Sequence, residues 1–305
     1  KFRKALPSIL LIFFFTFSVF AEPVYLADGS FDQLTGKNFL WKAKGNANSV
    51  YILGSLHLAK PGLYPLDQKI EDSFNKSDIL VVEVDISSVD PFAVQQKFME
   101  KGLYYDSDTF ADHISKDTLE LVKKKFKDLG MDMGFMIMYK PWFLAINLVM
   151  LELVKLGFDP NYGVDKHFID KAKGVKEILE LESVEFQIDL FDGFNDRQQE
   201  LFLMSALLDL DLIREEMDNM ISIWERGDAK GMEEMLRKGL REHPEILPIY
   251  NKIFYERNKK MALKIEGFLD DGAENYFVIV GSGHLVGKEG IIQLLKDKGY
   301  FLEQL

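Results

Sequence analysis

An α/β fold is predicted for this chain, of the α+β kind: a central mixed β-sheet built from the N- and C-terminal segments, with a large, mostly helical middle. Three observations predict it. Runs of strand length rich in β-branched and aromatic residues cluster at both ends, as in Val50-Tyr51-Ile52-Leu53 and Tyr276-Phe277-Val278-Ile279-Val280. Between residues 90 and 269 the apolar residues recur at helical spacing. The segments Gly54-Ser55-Leu56-His57 and Gly281-Ser282-Gly283-His284 repeat one pattern, each just past a strand-like run, where open α/β sheets place their ligands.

In chain order, residues 39–43 and 49–53 read as a hairpin turning at Gly45-Asn46-Ala47-Asn48. Residues 65–75 read as a helix, because Leu66, Ile70 and Phe74 share a face and Pro65 suits a first turn. Residues 79–86, nearly continuous in apolar side chains, read as a strand covered on both faces and complete a βαβ unit. A helical insertion follows over about 90–162. A helix over 163–173 leads to a third strand over 175–181. Helices fill 195–243 and 244–269, where Met204, Leu207, Leu208, Leu210, Met217, Met220 and Ile221 form a core stripe. The strand 276–280, a helix over 287–298 and a closing strand over 300–302 end the chain.

The 305 residues are 47% hydrophobic and 28% charged, enough apolar material for a substantial core. No linker-like stretch divides them, so residues 22–305 read as one domain. Residues 1–21 read as a signal peptide: Lys1, Arg3 and Lys4 precede an apolar stretch, and Val19-Phe20-Ala21 offers a cleavage site. An exported protein, periplasmic or secreted, is expected, with no stable membrane span after cleavage. Losing that segment's three positive charges takes the formal net charge from −12 to −15. Nucleic acid is excluded as a partner: such acidity repels phosphate, and no basic stripe with interleaved aromatics is present. Cysteine is absent, which removes disulfides, thiolate metal sites and a cysteine nucleophile. Any metal must be held by His, Asp and Glu.

Glu83 lies inside an apolar strand, where an unpaired carboxylate would cost several kcal/mol or be forced neutral. A metal ion, an arginine or a histidine must compensate it, and Asp85 points to the same face two residues on. Glu182 follows the third strand and reads equally as part of the cap of a helix starting near Val184. Asp165 and His167 stand at the start of a helix, where the dipole favours an acid, so Asp165 is by default a cap residue. His113 and His243 follow no strand and read as surface residues. Arg257, with Asn258 beside it in a long helix, either neutralises a buried carboxylate or binds an anionic ligand group.

These residues, with Phe39-Leu40-Trp41, Lys140-Pro141-Trp142, Gly163-Val164-Asp165 and Trp224-Glu225-Arg226-Gly227-Asp228, resemble the TraB/GumN family. That family is similar to the Tiki metalloproteases and, more remotely, to the erythromycin-esterase and ChaN-like proteins. The resemblance spans roughly residues 39–300. It implies a metal-dependent hydrolase, a peptidase in the Tiki branch, in which both Gly-x-x-His histidines and a glutamate on the second strand are required. By position these are His57, His284 and Glu83, holding a divalent ion (Mn, Co or Zn). Glu182 or Asp165 would orient the attacking water or act as general base, with Arg257, Asn258 and His167 on a peptide or small-molecule substrate. Two other functions remain open: a non-catalytic peptide or small-ligand binder of the same fold, and a metal-free esterase with His57 as general base.

Overall fold

The computed structural model describes residues 36–305 apart from Asp106 and Gly272; the expected leader, 1–21, lies outside the described residues. The fold is mixed α/β, as the sequence predicts. Strands β1 (Leu40–Lys44) and β2 (Ser49–Ser55) form the expected hairpin, then come α1 (Gln68–Asn75) and β3 (Ile79–Val82). The middle holds α2 (Pro91–Gly102), α3 (Lys116–Asp128), α4 (Pro141–Lys155), α5 (Val164–Ala172), β4 (Glu177–Glu180), α6 (Val184–Asp192), α7 (Asp196–Asp209), α8 (Ile213–Glu225) and α9 (Ala229–Glu242). After α10 (Leu247–Tyr250) a π-helical turn, Asn251–Tyr255, runs into α11 (Glu256–Asp271). Strand β5 (Tyr276–Gly281), α12 (Ile291–Asp297) and β6 (Leu302–Gln304) complete the chain.

The six strands form one sheet in the order β4-β3-β5-β2-β1-β6. β4, β3, β5 and β2 run parallel, while β1 and β6 are antiparallel additions at one side. The predicted βαβ unit is present, but β5, from the far end of the chain, sits between its two strands. Every residue of β5 is buried, because helices cover both of its faces. On one face Phe74 of α1 and Phe168 of α5 pack their rings against Phe277 at 5.6 and 5.0 Å. On the other, Phe268 of α11 stacks on Tyr276 at 4.6 Å. A fully buried parallel strand can therefore be apolar at successive positions rather than alternate ones.

Some boundaries differ from the expectation, for local reasons. α1 starts at Gln68 rather than 65 because the Asp67 side chain accepts from the Lys69 N–H and caps it. β3 stops at Val82, not 86, since beyond Glu83 the chain turns: Asp85 Oδ1 accepts from the Ser87 N–H and hydroxyl at 2.9 and 2.7 Å. β4 spans only 177–180 and is an edge strand. The predicted helical run 195–243 divides into three helices; α8 and α9 are separated at Gly227, whose φ of +60° suits glycine and whose Cβ would lie 2.7 Å from the Lys37 carbonyl. Among the described residues no helix is long and apolar enough to cross a membrane.

Candidate active site

Three adjacent parallel strands, β3, β5 and β2, end together. Ser55 lies opposite Gly281, and Val82 opposite Ile279. His57 follows β2 by two residues, Glu83 is the first residue past β3, and His284 closes the 3₁₀ turn Ser282–His284 after β5. Topology thus gathers at one sheet edge the two repeat histidines and the carboxylate that needed a partner. Two close approaches lock the edge: Ser282 Oγ donates to the Ser55 carbonyl at 2.9 Å, and Trp224 Nε1 donates to the Gly54 carbonyl at 2.6 Å.

Glu83 finds its compensation in the protein itself. Oε1 accepts from the Gly281 N–H at 2.6 Å, and Oε2 accepts from Arg257 Nη2 at 2.9 Å. Arg257 also donates from Nε and Nη2 to Glu182, at 2.8 and 2.6 Å, and from Nη1 to the Ile253 carbonyl within the π-helical turn. Its side chain is 1% exposed. Of the two roles open to Arg257, neutralising buried carboxylates is the one its contacts describe; it does not reach outward to a ligand. Glu182 is likewise committed, to Arg257 and to Gln187 Nε2 at 2.8 Å. Ser183, not Glu182, caps α6, its Oγ accepting from the Phe186 N–H.

Each histidine is held from behind. His57 Nδ1 lies 3.0 Å from Asp165 Oδ1. A carboxylate can only accept, so Nδ1 carries the proton and the Nε2 edge turns to the site. Burial alone would lower the His57 pKa, but the charge and hydrogen bond of Asp165, helped by Glu83, outweigh it and hold His57 above its ordinary value. Asp165 sits in the first turn of α5, which the Val164 N–H ties to the Leu56 carbonyl at 2.9 Å. A side chain at Gly163 would meet the His57 carbonyl at 2.4 Å. Tyr64, which no sequence signal singled out, donates its hydroxyl to the Tyr162 carbonyl at 2.9 Å beneath this turn.

His284 Nδ1 lies 2.5 Å from Asn258 Oδ1, and Asn258 Nδ2 donates to the Glu289 carbonyl at 2.7 Å. The second bond fixes the amide so that Oδ1 accepts, which places the His284 proton on Nδ1. Its Nε2 faces Glu83 Oε1 at 3.8 Å. Burial, then the charges of Arg257 and His57, push the His284 pKa well below its ordinary value, with Glu182 opposing.

The meeting point is Gly281. A Cβ there would stand 3.1 Å from His57 Nε2, 3.4 Å from Glu83 Oε1 and 3.6 Å from His284 Cδ2. Glycine keeps open a small space bordered by all three.

Other expected residues lie elsewhere. His167 Nε2 turns to Glu71 on α1 at 3.0 Å, its ring against Tyr64. Asp85 closes its own turn and does not look into the site, because β3 has already ended. His113 stacks on Tyr104, and His243 is 7% exposed beside Glu245 rather than on the surface, where α9 ends and the 3₁₀ turn Pro244–Ile246 begins.

Among the described residues no group of three or more His, Asp or Glu side chains is arranged so that it could hold a metal ion. The donor chemistry nevertheless suits a divalent cation: two imidazoles presenting Nε2, each oriented through Nδ1, and a carboxylate between them. Charge agrees. Three carboxylates (Glu83, Glu182, Asp165) against one guanidinium leave −2 when both imidazoles are neutral, which one dication balances.

A sequence profile of the TraB/PrgY/gumN family matches residues 39–304. The uncharacterized protein YbaP of Shigella flexneri is 24% identical over 280 residues, 86% of this chain and 95% of that protein, and YbaP of Escherichia coli strain K12 matches to the same extent. A metalloprotease TIKI homolog of Amphimedon queenslandica is 34% identical over 58 residues, 19% of this chain and 11% of that protein. No solved structure matches the chain. With its whole sheet, both Gly-x-x-His segments and the residues holding them inside the matched span, this chain belongs to the TraB/PrgY/gumN family.

Proposed function

We propose that the chain is an exported metal-dependent hydrolase acting on peptide bonds. The observation that carries this reading is the space over Gly281, bordered by two imidazoles and Glu83, with each imidazole oriented from behind. The similarity of a short segment to a metalloprotease supports the peptide as substrate, and the leader-like residues 1–21 support export.

In this reading His57, His284 and Glu83 hold the ion. A bound divalent ion lowers the pKa of its water toward neutrality and polarises the substrate carbonyl. The chain supplies the rest. Asp165 and Asn258 fix the imidazole tautomers, Arg257 stabilises the carboxylates that would otherwise repel each other, and Gly281 leaves room for the reacting group. Asp165 and Glu182 act here as positioning residues, because they hold His57 and Arg257 from behind, whereas Glu83 Oε1 itself borders the space over Gly281.

The test is metal analysis of the purified protein, with cleavage of a peptide library in Mn²⁺, Co²⁺, Zn²⁺ or chelator, alongside His57→Ala and His284→Ala. Metal-dependent cleavage lost in both variants is expected. Absence of metal binding, or cleavage that survives both substitutions, overturns the reading.

A further inference from the structure

A cavity of about 330 Å³ lies beside the site but is not part of it. None of His57, Glu83, Asp165 or His284 lines it. Its walls are α9, the aromatic pair Tyr250 and Tyr255, and the segment Val286 to Glu289 that directly follows His284. The volume is at the lower end of the ~300–1,000 Å³ of small-ligand sites.

Its charge runs against that of the protein. Arg237, Arg241 and Lys288 face it with two carboxylates, Glu233 and Glu289, in a chain of net charge −12. Arg237 is paired with Glu233 at 3.0 Å, and Arg241 leans outward to Glu234 at 3.0 Å. The lining cations exceed the lining carboxylates by one; Arg237 and Arg241 already hold carboxylates, so an incoming anion meets Lys288 first and would share the two guanidinium groups, which match a carboxylate in geometry as well as charge. Contact with the site is close. The Phe254 ring lies 4.5 Å from Tyr250 and 5.2 Å from His284, and the Glu289 carbonyl accepts from Asn258, which holds His284.

We propose that this cavity binds the free carboxylate end of a peptide, its apolar body against Tyr250 and Tyr255 and its carboxylate among Arg237, Arg241 and Lys288. The choice of a peptide rests on the hydrolase reading above; the cavity's preference for a carboxylate does not. Occupancy would press on the segment that carries the Asn258–His284 contact.

Calorimetric titration of chelator-treated protein with N-acetyl-Ala-Phe and with its C-terminal amide tests this without turnover. The acid is expected to bind about tenfold or more tighter than the amide, the scale of a charge-assisted hydrogen bond. Arg241→Gln combined with Lys288→Gln, both exposed positions, removes that preference while thermal unfolding stays unchanged, and His57→Ala retains it. Equal affinity for acid and amide, no heat at millimolar peptide, or an undiminished preference in the double variant overturns the proposal. Carboxylate binding without metal-dependent cleavage sinks the peptidase reading alone; cleavage with acid and amide bound alike sinks the cavity alone.

Discussion

Replacing Arg257 by methionine isolates the charge balance on which the site rests. The guanidinium is 1% exposed and reaches both Glu83 and Glu182, whose side chains are 8% and 5% exposed. Methionine fills similar volume but leaves two buried carboxylates facing each other. Removing one partner of a buried ion pair costs about 3–5 kcal/mol, against a total stability of about 5–15 kcal/mol. At roughly 2–3 °C per kcal/mol for a chain of this size, Tm falls by about 6–15 °C. Urea unfolding followed by circular dichroism, in chelator at neutral pH, measures it. Adding Glu182→Gln removes one of the stranded charges and is expected to restore about 1–2 kcal/mol, so the two changes are non-additive. A cost below ~1 kcal/mol for Arg257→Met, or strict additivity with Glu182→Gln, would refute the claim that Arg257 compensates these carboxylates.

Gly281→Ala puts a methyl 3.1 Å from His57 Nε2; the fold tolerates it at about 1–3 kcal/mol, while Mn²⁺ binding measured by calorimetry is lost. Asn258→Ala releases His284 Nδ1 and is expected to weaken metal binding by about 10–100-fold, with Asn258→Asp recovering part of it. The metal-free protein should show two opposed pH limbs. His57, raised in the folded state, contributes stability that is complete below 6.5 and is lost as pH rises through its folded value. His284, depressed in the folded state, contributes stability present above 6.5 and lost as pH falls below it. In urea titrations from pH 5 to 8, His57→Gln is expected to flatten the first limb and His284→Gln the second; identical profiles for both variants would contradict the assignments.

The sheet was largely legible because burial on both faces writes itself as continuous apolar runs, and the strand ends followed from the glycine segments. Strand order was not. That β5 separates β2 from β3 depends on pairing between residues more than 190 positions apart, and no local pattern encodes it. The need of Glu83 for a partner could be read from its neighbours, yet Arg257 lies 174 positions away on a helix whose local sequence suits a surface arginine equally well. Tyr64 and Gln187 carried no periodic or motif signal at all. Asp85 and His243 failed for related reasons: the strand reading ran past the turn at Glu83, and the surface reading could not see which helix ends would cover α9.

The two Gly-x-x-His segments are near copies in sequence and end equivalent strands, but their chemistry differs because their partners do. His57 is backed by an anion and His284 by a neutral amide, while Arg257 stands near enough to both to disfavour a second positive charge. An imidazole opposite a carboxylate gains a proton readily; one opposite an amide and near a guanidinium stays neutral. The site therefore divides its labour: Asp165 favours a proton on His57, while burial and the charge of Arg257 disfavour one on His284. On the metal-dependent reading, a dication in the space over Gly281 would compete with a proton on His57, so its uptake is expected to weaken as pH falls.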